Sequence, residues 1–144
     1  MFKQLVLAAA LAGFGATSLA QAAPADDARA HFTAIGEGNV AGIAAQYDAN
    51  TVLAWIGGPL DGVYQSDAKI REVWEKFTKS QGPLKVTVDK LEEASNPKGS
   101  TVTANVLFQG KTPIKVRYVL TYREGKLASE IWQIAPALNI STGY

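Results

Sequence analysis

The sequence predicts an α+β domain in which helices lie across one face of a bent antiparallel sheet. Three observations carry that prediction. Between residues 24 and 81, apolar residues recur at helical spacing in three stretches, with one short β-branched and aromatic run between the second and third. Beyond Pro83, apolar and polar residues alternate in four stretches separated by turn residues. Helix, helix, strand, helix and then strands is the order of a helical layer packed on one sheet face.

The N-terminal segment predicts export. Lys3 precedes the apolar run Leu5-Val6-Leu7-Ala8-Ala9-Ala10-Leu11-Ala12, and a small-residue stretch ends at Ala20-Gln21-Ala22. This is the three-part layout of a secretory signal peptide, with a cleavage site that makes residues 1–22 the signal and 23–144 the mature domain. Glycines at 13 and 15 interrupt the run, which falls short of the ~20 apolar residues a membrane span needs. The expected location is the bacterial periplasm, with no stable membrane association after processing. There is no cysteine, so neither disulfides nor a lipid anchor at the cleavage site is available. Losing Lys3 leaves 13 basic against 13 acidic side chains, a balance that offers no footprint for nucleic acid.

A first helix is expected over about Pro24 to Gly36, from Ala28, Phe32 and Ile35 at helical spacing, with Asp26 and Asp27 near its positive N-terminus. Gly36 and Gly38 break it. Asn39 then caps a second helix, in which Val40, Ile43, Ala44 and Tyr47 follow the i, i+3, i+4, i+7 pattern. Thr51 to Ile56 reads as a short strand, and Gly57-Gly58-Pro59-Leu60-Asp61-Gly62 as a loop. Ser66 caps a third helix with Ile70, Val73, Trp74 and Phe77 on one face, and Gln81-Gly82-Pro83 stops it. The strands are expected at about Leu84 to Glu93, Thr101 to Gln109, Ile114 to Arg123 and Lys126 to Ala135. Alternation turns Val102, Ala104, Val106 and Phe108 inward, and likewise Ile114, Val116, Tyr118, Leu120 and Tyr122. The short Glu124-Gly125 turn makes the last two strands neighbours, so Tyr118 and Trp132 are expected on one concave face.

Most catalytic signatures are absent. One histidine and no cysteine exclude a His/Cys metal site and a cysteine nucleophile, and there is no nucleophile elbow, Walker loop or dinucleotide fingerprint. No cofactor is expected. Glu130 shares a face with Ala128, Trp132 and Ile134 by alternation, so an inward face sets its carboxylate among aromatics, where desolvation raises its pKa toward values useful for acid–base work. A bulge shifting the register by one would instead turn Glu130 to solvent and Ile131 inward. His31, beside Ala28 and Ile35 on the first helix, is either its hydrogen-bond partner or a partly exposed helix residue.

The segments Phe32 to Tyr47, Thr51 to Ile56, Gly62 to Trp74 and Tyr118 to Ile134 resemble the SnoaL-like and ketosteroid isomerase-like members of the nuclear transport factor 2-like superfamily. The markers are Gly62, the run Ala68-x-Ile70-Arg71-x-x-Trp74 and the closing Glu130-x-Trp132. The resemblance implies a cone-shaped, cystatin-like roll whose open end is lined by His31, Trp55, Tyr64, Trp74, Tyr118, Glu130 and Trp132. It sets His31 where the isomerase keeps its oxyanion-hole tyrosine, Tyr118 where it keeps a protonated aspartic acid, and Ala54 or Trp55 where it keeps its carboxylate base. That last departure removes the group that would carry the proton. This fold hosts unrelated functions. The expectation is therefore an exported pocket domain that binds a small, largely apolar organic molecule, with Trp55, Tyr64, Trp74, Tyr118 and Trp132 as ligand contacts. Two rivals stand beside it. One is an isomerase, cyclase or lyase using Glu130 and His31; the other is a non-catalytic homodimeric assembly module joined through an outer sheet face carrying Leu107, Val119, Leu127 and Ile131.

Overall fold

The computed structural model describes residues 23–141, so the signal-peptide expectation for residues 1–22 lies outside the described residues. No helix among the described residues is long and apolar enough to cross a membrane. The elements run α1 (Pro24–Glu37), α2 (Val40–Ala44), β1 (Tyr47–Ile56), β2 (Gly62–Gln65), α3 (Asp67–Gln81), β3 (Lys85–Asn96), β4 (Gly99–Gln109), β5 (Pro113–Arg123) and β6 (Lys126–Ile134). Three helices pack on one six-stranded sheet of order β2-β1-β6-β5-β4-β3, the α+β arrangement expected from the element pattern.

The sheet is mixed where the sequence suggested purely antiparallel pairing. β3 to β6 form the expected meander, but β1 lies parallel to β6, with Leu53 opposite Glu130 and Trp55 opposite Trp132. No turn joins these two strands, so no local signal announces the pairing. β2, which fills the stretch between the expected loop and the Ser66 cap, is a short strand hairpinned onto β1. The second helix is also shorter than its periodicity implied, ending at Ala44, so that Tyr47 opens β1. A five-residue helix containing Gly42 has little intrinsic stability. The β conformation of the chain after it is held by Thr51, whose buried hydroxyl donates to the Leu127 carbonyl and accepts from the Asp48 amide.

α1 lies over β3 and β4, and α3 over β1. Gly36 makes the first docking possible: a Cβ there would meet Val86 Cγ2 at 2.5 Å and the Leu84 carbonyl oxygen at 2.8 Å, and its own carbonyl accepts from the Leu84 amide. Gly38 then closes the helix at φ 70°, a left-handed cap that glycine adopts without steric cost. Under the helices sits an aromatic core in which Trp132 stacks on Trp55 (4.5 Å) and Phe108 (5.0 Å) and meets Trp74 and Phe77 edge-on.

A bulge decides the face of β6. Thr121 pairs with Ser129 but the next residue, Tyr122, pairs with Leu127, leaving Ala128 as the extra residue. Strict alternation placed Ala128 with Glu130 inside and Leu127 outside; the bulge takes Ala128 off that face, and Leu127 and Glu130 are both wholly buried. Leu107, also expected to offer itself on the outer face, is buried as well. After β6 the chain turns back across the outer face: the Ala135 amide bonds to the Lys115 carbonyl on β5, the Leu138 carbonyl accepts from Lys115 Nζ, and the Ser141 amide reaches Asp89 on β3. β4, with Leu107, lies between those anchor points. What remains apolar on the outer face is the cross-strand row Val63, Ala54, Ile131 and Val119.

Candidate functional site

Two sets of residues meet at the concave side of the sheet: a sealed polar cluster, and an apolar cleft beside it. The cluster centres on Glu130, which β6 turns into the core and which is fully buried, as is His31 on α1. Glu130 Oε2 accepts from His31 Nε2 at 2.5 Å and from Tyr118 Oη at 2.6 Å, while Oε1 accepts a very short bond from Tyr47 Oη. Tyr47 Oη in turn accepts from Trp74 Nε1 at 2.8 Å. Since Nε2 faces the carboxylate, that nitrogen carries the ring proton directed at Glu130. His31 Nδ1 and Trp132 Nε1 are buried without hydrogen-bond partners among the described residues.

This geometry reverses the expectation for the Glu130 carboxyl. Burial pushes its pKa up, as anticipated, but His31 and the hydrogen bonds from His31, Tyr118 and Tyr47 outweigh burial and hold it below the ordinary carboxylate range. Alternation along β6 gives Glu130 its apolar neighbours, whereas the donors reach it from α1, β1 and β5. Burial, and after it the Glu130 charge, push the Tyr47 and Tyr118 hydroxyls well above the usual tyrosine range. The cluster at neutral pH is therefore an ionised carboxylate held by two neutral phenols and the His31 ring N–H.

The cleft has a volume of about 700 Å³ and opens between α3, the Gly57–Gly62 loop, the start of β5 and the chain after β6. Its floor lies over Trp55, Phe77 and Trp132, and Leu60, Ile114 and Ile134 form apolar walls. Lys76, Ser80, Gln81 and Lys115 supply the polar rim. Tyr64 braces the loop wall by donating to the Leu60 carbonyl at 2.7 Å. A second, wider depression of about 1030 Å³ lies among exposed turns around Asn96, Lys98, Arg123 and Lys126, and holds none of the expected residues.

The seven expected residues thus divide. His31, Tyr118, Trp74 and Glu130 form the polar cluster, Trp55 and Trp132 lie beneath the cleft, and Tyr64 supports its rim without lining it. Tyr47 escaped the sequence reading because its position also fitted a helix stripe; the signal that could have found it is that a buried tyrosine hydroxyl needs a partner, and Glu130 needed donors. Phe77, Leu60, Ile114 and Ile134 were read as core or loop. No group of three or more His, Asp or Glu side chains arranged to hold a metal ion occurs among the described residues.

No family model matches the chain, and no curated protein does. Solved structures do match in fold. An NTF2-like protein of unknown function from Pseudomonas putida KT2440 superposes with a TM-score of 0.66 at 15% identity, over 75% of this chain and 81% of that one. A protein of unknown function with a cystatin-like fold from Nostoc punctiforme PCC 73102 gives 0.65 at 11% identity, over 78% and 89%. A ketosteroid isomerase-like protein from Erwinia carotovora atroseptica SCRI1043 gives 0.60 at 15% identity, over 77% and 93%. The fold is NTF2-like, as the marker residues implied, and at these identities the likeness concerns fold alone.

Proposed function

We propose that this protein is an exported pocket domain that binds a small, largely apolar organic molecule in the cleft above Trp55 and Trp132. One observation carries the reading: the cleft is open, sized for a small ligand and walled by apolar side chains, while the buried His31–Glu130 pair is sealed away from it. A general acid or base must come within hydrogen-bond reach of the reacting group. Glu130 and His31 have no exposed surface, and both Glu130 oxygens are already engaged by protein donors, so the isomerase, cyclase or lyase reading has less support. The cluster is a structural anchor tying α1, β1, α3, β5 and β6 together beneath the binding surface. Export rests on the signal-like layout from Lys3 to Ala22.

The test is calorimetry on the protein recovered from a periplasmic extract, titrated with the molecule that mass spectrometry finds bound to it. Ser80 is an exposed residue on the cleft wall, so Ser80→Trp fills the cleft without disturbing the core. Binding in Ser80→Trp should fall by roughly a hundredfold, as expected when a large side chain occupies the ligand's contact area. Unchanged affinity would move the binding site elsewhere. Self-association through the outer sheet face is a second reading, favoured by Val63 (67% exposed) and Ile56 (44%) near the apolar row on β2, β1, β6 and β5. Sedimentation velocity of the wild type beside Val63→Lys decides it.

A further inference from the structure

The buried cluster and the tryptophans beside it join into one chemical path. The chain has no cysteine and its one methionine is Met1, so tryptophan and tyrosine are the side chains of residues 23–144 that give up an electron most readily. They are not scattered. Trp55 lines the cleft, and its ring centroid lies 4.5 Å from that of Trp132 and 5.2 Å from that of Trp74. Trp74 Nε1 donates to Tyr47 Oη at 2.8 Å, and Tyr47 Oη donates to Glu130 Oε1. Contacting oxidisable rings thus run without a gap from the cleft to the carboxylate. A phenol that loses an electron becomes a strong acid, and its proton must pass to a base within hydrogen-bond reach. Glu130 is such a base, because it is wholly buried, held ionised and already bonded to the Tyr47 hydroxyl. Tyr118 also donates to Glu130, but among the described residues no indole is bonded to its hydroxyl.

We propose that this path is a relay for one-electron oxidation: an oxidised metal complex at the cleft takes an electron from Trp55, and the hole passes through Trp74 to Tyr47, where it rests as a neutral tyrosyl radical. The step balances. The complex gains one electron, and Trp55 and Trp74 each lose one and regain one. Tyr47 loses one electron as its O–H bond breaks, and the proton forms a new O–H bond at Glu130 Oε1. The products are the reduced complex, the tyrosyl radical and a neutral Glu130 carboxylic acid, whose Oε2 still accepts from His31 and Tyr118. Burial of Tyr47 keeps the radical away from reactants in solution. The relay is independent of which molecule the cleft binds, since it needs only Trp55 at the cleft and the path behind it.

The experiment is flash photolysis of the protein with tris(bipyridine)ruthenium, oxidised to its trivalent state by a sacrificial acceptor, while transient absorption follows the tryptophan and tyrosyl radical bands. In the wild type the tryptophan radical should form first and decay with the time constant at which the tyrosyl band rises. That rise should be slower in heavy water, because an O–H bond breaks in the same step. Glu130→Gln removes the base, so the tyrosyl rise should slow by about a hundredfold or more while the tryptophan radical still forms. Tyr47→Phe should abolish the rise and leave a longer-lived tryptophan radical. Trp74→Phe should do the same by cutting the link between Trp55 and Tyr47. A tryptophan radical that decays in the wild type without a matching tyrosyl rise overturns the relay, as does a tyrosyl band with no tryptophan precursor. So does a tyrosyl rise that survives Tyr47→Phe or keeps its rate in Glu130→Gln. The order of the bands and the heavy-water effect are read on the wild type alone, so they decide the matter even where a variant fails to fold.

Discussion

Replacing Glu130 with Gln keeps the shape of the side chain and removes its charge, which makes it a sensitive probe of the buried cluster. The carboxylate accepts from three donors: His31 Nε2, Tyr118 Oη and Tyr47 Oη. A glutamine has one acceptor oxygen and one NH₂ group. With the oxygen in the place of Oε2, the bonds to His31 and Tyr118 survive without the carboxylate charge, and the NH₂ faces Tyr47, whose hydroxyl hydrogen loses its acceptor. The opposite orientation sets the NH₂ against two donors and is worse. An orphaned buried donor costs about 1–3 kcal/mol. Charge-assisted bonds are roughly twice as strong as neutral ones, so the two survivors lose about 1 kcal/mol each. Relief from burying a charge offsets part of this, leaving a net loss of about 3 kcal/mol. In a domain of this size that lowers Tm by roughly 10–15 °C.

Urea and thermal unfolding of the wild type and Glu130→Gln measure the loss, and its pH dependence identifies the cause. The folded-state pKa of Glu130 lies below the ordinary value. Its contribution is therefore fully present above the ordinary carboxylate pKa of about 4.3, and is lost as pH falls below that toward the lower folded value. The stability gap between the two proteins should be constant from about pH 6 to 8 and shrink in acid over that window. Ligand affinity in Glu130→Gln should stay within about tenfold of the wild type, since the side chain does not reach the cleft. A variant as stable as the wild type at neutral pH would refute the claim that these donors hold an ionised carboxylate.

Two further outcomes follow from the same structure. Tyr47 and Tyr118 are held well above the ordinary tyrosine range, so the folded state keeps their protons after the unfolded chain would release them; stability should fall as pH rises above about 10, with tyrosinate absorbance at these sites appearing only on unfolding. Gly36→Ala should destabilise by about 2–3 kcal/mol in urea unfolding, because the added Cβ meets both Val86 Cγ2 and the Leu84 carbonyl; a neutral effect would mean that α1 can shift away from β3 at little cost.

The elements with strong local periodicity were legible from the chain alone. α1, α3 and the four strands after Pro83 lie within a few residues of their expected bounds, because each carries its own apolar stripe or alternation together with caps and turns that stop it. The inward side of β5 followed from alternation without interruption. His31 and Glu130 were visible as candidates because a lone histidine and an acid beside aromatics are conspicuous by type. Their actual meeting joins residues 99 positions apart and depends on how α1 lies on the sheet.

Only the tertiary structure decided the rest. The parallel pairing of β1 with β6 has no turn to announce it, and the Ala128 bulge, which carries both Leu127 and Glu130 inside, violates the alternation from which faces are read. Tyr47 could satisfy a helix stripe or open a strand; the tertiary fold selected the strand, where its hydroxyl links Trp74 to Glu130. The same network reversed the direction of the Glu130 pKa, since a carboxylate's ionisation depends on the donors around it as well as on its burial. Local sequence sets which residues prefer helix, strand and interior, but partners, register and charge state are properties of groups that meet only after the chain has folded.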